Sequence, residues 1–126
     1  LQDDQTLYAV LVSAGMAGLA CNDLPAAQRS FRRATESLPY SPQAWKGLID
    51  CLERAGRVED LPECLAHAAG IAESKGNHGR ALTLLLRQAE VLGDLGRPEE
   101  ALNALQRHME NPEAVAAVAG GADTAA

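Results

Sequence analysis

Two stretches of the chain, "LERAGRVEDLPECL" at 52–65 and "LGDLGRPEEALNAL" at 92–105, say nearly the same thing 40 residues apart. Each runs from a helix-like leucine through a Gly-Arg break into acidic residues and a second apolar run. Repetition at a fixed spacing restricts a fold more than any single motif, because every copy must be the same supersecondary unit and must bury its apolar side against its neighbours. The punctuation around the copies divides the rest of the chain. "CNDLP" at 21–25, "LPYSP" at 38–42, "RAGR" at 54–57, "KGNHG" at 75–79, "LGRP" at 95–98 and "NP" at 111–112 carry the Pro, Gly and Asn that stop or start helices. Between them apolar residues recur at helical spacing: Leu48, Cys51, Leu52 and Ala55 in one segment, then Leu61, Leu65 and Ala68 in the next. The pattern predicts a ladder of short helices joined by tight turns, an αα-hairpin repeated three times.

Adding 34 to Tyr8 gives Pro42, and the positions between then align: Leu11 on Trp45, Ala14 on Leu48, Gly18 on Leu52, Asn22 on Gly56, Ala27 on Leu61, Phe31 on Leu65 and Ala34 on Ala68. The third copy lies six residues further on, with Leu92, Gly96, Ala101 and Leu105 each 40 after its counterpart. The expected organisation is a repeat domain over 1–115, made of units 8–41, 42–75 and 82–115. An insertion over 76–81 lengthens the connection between the second and third units, and the second helix of unit two runs long, from Val58 to Ser74. Residues 116–126 form a flexible tail.

Composition agrees with helices. Hydrophobic residues make up 47% of the chain but aromatics only 3%, so the core has to be built mainly from Ala and Leu, and the β-branched residues a sheet would want are scarce. Ala27 and Ala34 mark close helix crossings, while Phe31, Trp45, Leu52 and Leu65 fill the spaces between. The fold class expected is all-α, a right-handed α-solenoid.

These residues resemble the tetratricopeptide repeat (TPR) family. Its pattern, W-x2-L-G-x2-Y, then A-x3-F-x2-A, then P, is matched in halves: Ala27, Phe31, Ala34 and Pro39 supply the second half, and Trp45 and Leu48 the first. The stretch 38–82 is also similar to the N-terminal repeats of the large TPR scaffold of the superkiller complex, through Ala44, Trp45, Gly47 and Leu48 and then Asp60, Leu61 and Pro62. The resemblance implies a non-catalytic protein-interaction scaffold, cytoplasmic, that presents a concave groove lined by the first helix of each unit. Projected onto this chain, the groove residues are Ala9, Val12, Ser13 and Met16, then Gln43, Lys46, Gly47 and Asp50, then Thr83, Leu86, Arg87 and Glu90. The alternative it implies is a free-standing adaptor or co-chaperone that binds a peptide in the same groove. Where carboxylate-clamp TPR proteins place Lys and Asn, this chain has Val12 and Met16, with only Arg87 in place.

Other chemistry finds little footing. A net charge of -6 opposes general affinity for phosphate backbones and anionic membranes. The one basic cluster, Arg29, Arg32 and Arg33, has no aromatic residues interleaved for stacking and reads as a solvated helix face. No apolar run approaches the ~20 residues of a membrane span, and no signal peptide is evident. The chain opens at Leu1, not Met, and reads as a piece of something longer. Cys21, Cys51 and Cys64 have no disulfide-like spacing and fit reduced thiols of an intracellular protein. Cys64 and His67 share a helical face, but zinc wants four ligands and no second pair has the spacing. His78 reads as a loop residue and His108 as a residue near a helix C-terminus, where positive charge is favourable. Asp3 with Asp4 and Glu99 with Glu100 read as acids at helix starts. No nucleophile elbow or phosphate-cradling loop is present. Neither catalysis nor a cofactor or metal is expected; the partner expected is a protein or peptide. The last helix, around Ala101, Leu102 and Leu105, is expected to be half covered and to support self-association.

Overall fold

The computed structural model describes residues 2–110 together with 112 and 116. The expected tail over 116–126 lies outside them, save for residue 116. Among the described residues there are six α-helices and no strand: α1 (Gln2–Ala20), α2 (Leu24–Ser37), α3 (Pro42–Ala55), α4 (Leu61–Ser74), α5 (His78–Asp94) and α6 (Pro98–Met109), with a 3-10 turn at Val58–Asp60 before α4. The chain is all-α. It divides into two compact units within α4, Leu1–Cys64 and Leu65–Ala126.

The duplicated phrase is a turn, and it occurs four times. Asn22, Gly56, Gly76 and Gly96 have φ of 60°, 71°, 75° and 77°, the left-handed conformation that favours Gly and tolerates Asn. After each, the next amide donates to the carbonyl five residues back: Asp23 to Gly18 at 2.8 Å, Arg57 to Leu52 at 2.9 Å, Asn77 to Ala72 at 2.8 Å and Arg97 to Leu92 at 2.8 Å. This is a Schellman closure, which satisfies carbonyls that the helix end leaves open. Two of the closing residues also start the next helix, with Asp23 accepting from the amide of Ala26 and Asn77 from that of Arg80.

This finding relocates the expected insertion. The α4–α5 junction is one of the four tight turns, and residues 78–81 are the first turn of α5. His78 is therefore a helix residue, not a loop residue. The extra length between the second and third copies is taken up chiefly by the 3-10 turn Val58–Asp60 and by α5, which has 17 residues against 14 in α3. The long second helix expected from Val58 is this 3-10 turn followed by α4.

In the first unit α2 packs on both α1 and α3, and α1 also touches α3. The buried side of α2 is Ala27, Phe31, Ala34 and Thr35. Phe31 is fully buried because two glycines make room for its ring. A Cβ on Gly15 of α1 would lie 2.6 Å from the ring, and one on Gly47 of α3 closer still. Burying such a side chain is worth about 1.5–3 kcal/mol. Gly18 similarly leaves space for Ala27, whose Cβ would otherwise be met at 2.8 Å.

Tyr8 sets the start of α3. Its phenol oxygen accepts the amide of Ala44 at 3.2 Å and lies 2.6 Å from the hydroxyl of Ser41. Ser41 is the N-cap residue yet makes no side-chain cap bond to the helix, so an orphan amide of α3 is satisfied from α1 instead. Around this contact Tyr8, Leu11, Ala34 and Ala44 form a cluster flanked by Val12 and Leu38. Trp45 departs from its expected role. It is only half-buried, at the edge, and its indole N–H donates to the carbonyl of Pro39 at 2.9 Å, so it pins the α2–α3 junction rather than filling the core.

In the second unit α5 packs on α6, and the buried residues are mostly small: Ala68, Ala69, Ala72, Ala81, Ala101 and Ala104, with Leu65, Ile71 and Leu92. Ala101 is buried and Leu105 half-buried, while Leu102 is 55% exposed.

Candidate functional site

On α1, Val12, Met16, Leu19 and Ala20 recur at i, i+4, i+7 and i+8 and so share one face. On α3, Gln43, Lys46, Gly47, Asp50 and Arg54 do the same. The two faces line a groove of about 580 Å³. Gly47 contributes only backbone to it, and its missing Cβ leaves room for the Phe31 ring.

The groove is apolar on its α1 side and charged on its α3 side. Met16 is 57% exposed there and shares the α1 side of the groove with Val12, Leu19 and Ala20. Arg54 closes one end. Its Nε lies 3.4 Å from Oδ1 of Asp50, and its Nη1 donates to the carbonyl of Leu19 at 3.4 Å, tying α3 to the last turn of α1. Among the described residues no carboxylate pairs with Lys46. The site thus offers an apolar floor, one uncommitted cation, and an Asp50–Arg54 pair already engaged with itself.

Of the residues expected in the groove, the structure brings together Val12, Met16, Gln43, Lys46, Gly47 and Asp50. Ala9 and Ser13 are exposed on α1 but do not line the groove. Thr83, Leu86, Arg87 and Glu90 lie on one exposed face of α5, in the second unit. There Thr83 donates its hydroxyl back to the carbonyl of Gly79 at 3.0 Å, and Leu86 is 53% exposed. Leu19, Ala20 and Arg54 are groove residues that the repeat projection misses. The Asp50/Arg54 spacing of four is a readable signal of an ion pair on the α3 face, whereas the bond from Arg54 to Leu19 joins residues 35 apart.

The second unit has its own smaller cleft of about 340 Å³, lined by α4, α5 and α6. His108 lies in the last turn of α6, as expected, and is also buried in this cleft, with Nδ1 2.9 Å from Oε1 of Glu73. Its Nε2 is buried without a hydrogen-bond partner among the described residues.

Cys51 and Cys64 are buried and Cys21 is exposed. Burial pushes the Cys64 thiol up to about 11, with Arg32 opposing and Glu63 and Asp60 adding to the rise. Burial, then Asp50, raises Cys51, with Arg54 opposing. Neither is a ready nucleophile. At the start of α6, the hydrogen bond and charge of Arg97 hold Glu100 below the usual carboxylate range, one guanidinium arm donating at 2.8 Å. Among the described residues no three His, Cys, Asp or Glu side chains gather as a metal site, and no helix is long and apolar enough to cross a membrane. Neither a scan against protein-family models nor a search of curated proteins finds a match for this chain.

Proposed function

We propose that the chain is a non-catalytic protein-interaction scaffold, a run of TPR-like hairpins forming a segment of a right-handed solenoid of the kind found in the superkiller scaffold it resembles. Its partner site is the groove between α1 and α3, which takes an apolar side chain or short segment of a protein partner. The observation that carries this reading is Met16, held exposed over an apolar floor beside the uncommitted ammonium of Lys46. An apolar side chain from a partner removes the Val12, Met16 and Leu19 surface from water, while Lys46 selects the orientation. The recurring left-handed turn and the placement of α2 against both α1 and α3 support the repeat architecture.

The test is capture from cell lysate by the native protein, by a Met16→Asp/Lys46→Glu variant, and by a Val10→Asp control, a change at an exposed α1 position outside the groove. A partner retained by the native protein and the control but lost by the groove variant supports the reading. Equal retention by all three contradicts it.

A further inference from the structure

We infer that the outer face of α2 is a second docking surface, independent of the groove, for an acidic protein segment that carries carboxylates within one helical turn. Arg29, Arg32 and Arg33 stand at i, i+3 and i+4 on α2 and are all exposed. Neighbours at that spacing have Cβ atoms roughly 5–6 Å apart, so three guanidinium groups share one patch. None of the three has an ion-pair partner among the described residues, and Glu36, within one turn of both Arg32 and Arg33, pairs with neither.

Three other arginines behave differently. Arg54, Arg57 and Arg97 are each matched by a carboxylate three or four residues along: Asp50 at 3.4 Å, Asp60 at 3.2 Å, and Glu100. In a protein with net charge -6, α2 thus gathers three guanidinium groups with no carboxylate within ion-pair distance among the described residues, although Arg32 also lies near Cys64, which feels Glu63 and Asp60. Like charges one turn apart disfavour the helix that holds them, and carboxylates from outside relieve that repulsion.

The chemistry of the face selects the partner. Arginine forks bind carboxylates through paired, charge-assisted hydrogen bonds. Single-stranded nucleic acid needs aromatic platforms, and the only aromatic of α2, Phe31, is fully buried on the opposite side. An anionic membrane calls for a longer run of basic residues with apolar anchors, and the patch is flanked by Gln28, Ser30 and Glu36. No α2 residue lines the groove, so failure of this proposal leaves the groove reading untouched.

The experiment uses a fluorescein-labelled alanine-based peptide of about 12 residues with Glu at i, i+3, i+4 and i+7, and an oligonucleotide of equal length, titrated with the protein at several salt concentrations. The native protein is expected to bind the peptide, with affinity falling as salt rises. Arg29→Glu/Arg33→Glu should weaken binding by at least about tenfold and, in turn, bind a peptide with Lys in place of Glu. Arg29→Lys/Arg33→Lys, which keeps the charge but loses the forks, should lose about threefold. All three positions are exposed, so unchanged melting curves show that folding is intact. No binding by the native protein at low salt, equal binding by the charge-reversed variant, or tighter binding of the oligonucleotide than of the peptide would overturn the proposal.

Discussion

Gly47 of α3 lies so close to the ring of Phe31 on α2 that any Cβ there would overlap it, and Gly15 of α1 stands in the same relation to the ring. The contact bears on the groove, because the ring packs against both helices that line it and Gly47 is itself a groove residue.

Glycine-to-alanine changes in these helices are therefore expected to split by sign. Gly47→Ala and Gly15→Ala gain about 0.8–1 kcal/mol of helix propensity but force overpacking that costs about 1–3 kcal/mol, so both should destabilise. Gly70 in α4 and Gly93 in α5 have open space where a Cβ would go, and alanine there should stabilise by about 0.5–1 kcal/mol. Urea unfolding of the four variants checks this; stabilisation by Gly47→Ala would show that the ring is not held as described.

Tyr8→Phe removes the oxygen that accepts the Ala44 amide and faces Ser41, while the ring still fills the cluster with Leu11 and Ala34. The loss should be about 1–2 kcal/mol, comparable to deleting an N-cap. Amide exchange should quicken at Ala44 before it quickens in α2. A variant as stable as the native protein, with Ala44 equally protected, would mean that the phenol does not cap α3.

The six helices are legible in the sequence because their boundaries rest on local chemistry. Asn22, Gly56, Gly76 and Gly96 announce left-handed turns, and Ala27, Phe31 and Ala34 share a helical face. "GNHGRA" reads as an insertion because two glycines and an asparagine within four residues look like a loop. In the fold only Gly76 needs its unusual φ, while Asn77 caps α5 and Gly79 lies in its first turn. The contacts that finish the structure join distant residues: Tyr8 to Ala44, Arg54 to Leu19 and His108 to Glu73, each about 35 apart in sequence. No local pattern encodes them. Trp45 carries the family resemblance, but its N–H bond to Pro39 draws it to the edge.

The three thiols should separate by reactivity and by pH. A disulfide reagent at pH 8 should modify Cys21 promptly, and Cys51 and Cys64 only on unfolding. Because Cys64 titrates higher in the folded protein, at about 11 against 9.0, its contribution to stability is complete below pH 9 and is lost as the pH rises through 11. The urea midpoint should fall across that window, and less steeply in Cys64→Ala. Equal labelling rates for all three thiols in the native state would contradict the burial.

The most direct measurement of the groove as a partner site places a photo-crosslinking residue at position 16, with a second protein carrying it at position 10 as control, and irradiates both in cell lysate. Met16 and Val10 are similarly exposed on α1, at 57% and 59%, but only Met16 lines the groove. A discrete cross-linked protein from position 16, absent from position 10 and competed away by unlabelled native protein but not by the Met16→Asp/Lys46→Glu variant, is the expected result. Cross-linking from position 10 alone, or from neither position while the protein still captures a partner, would contradict it and move the partner site off the α1–α3 groove.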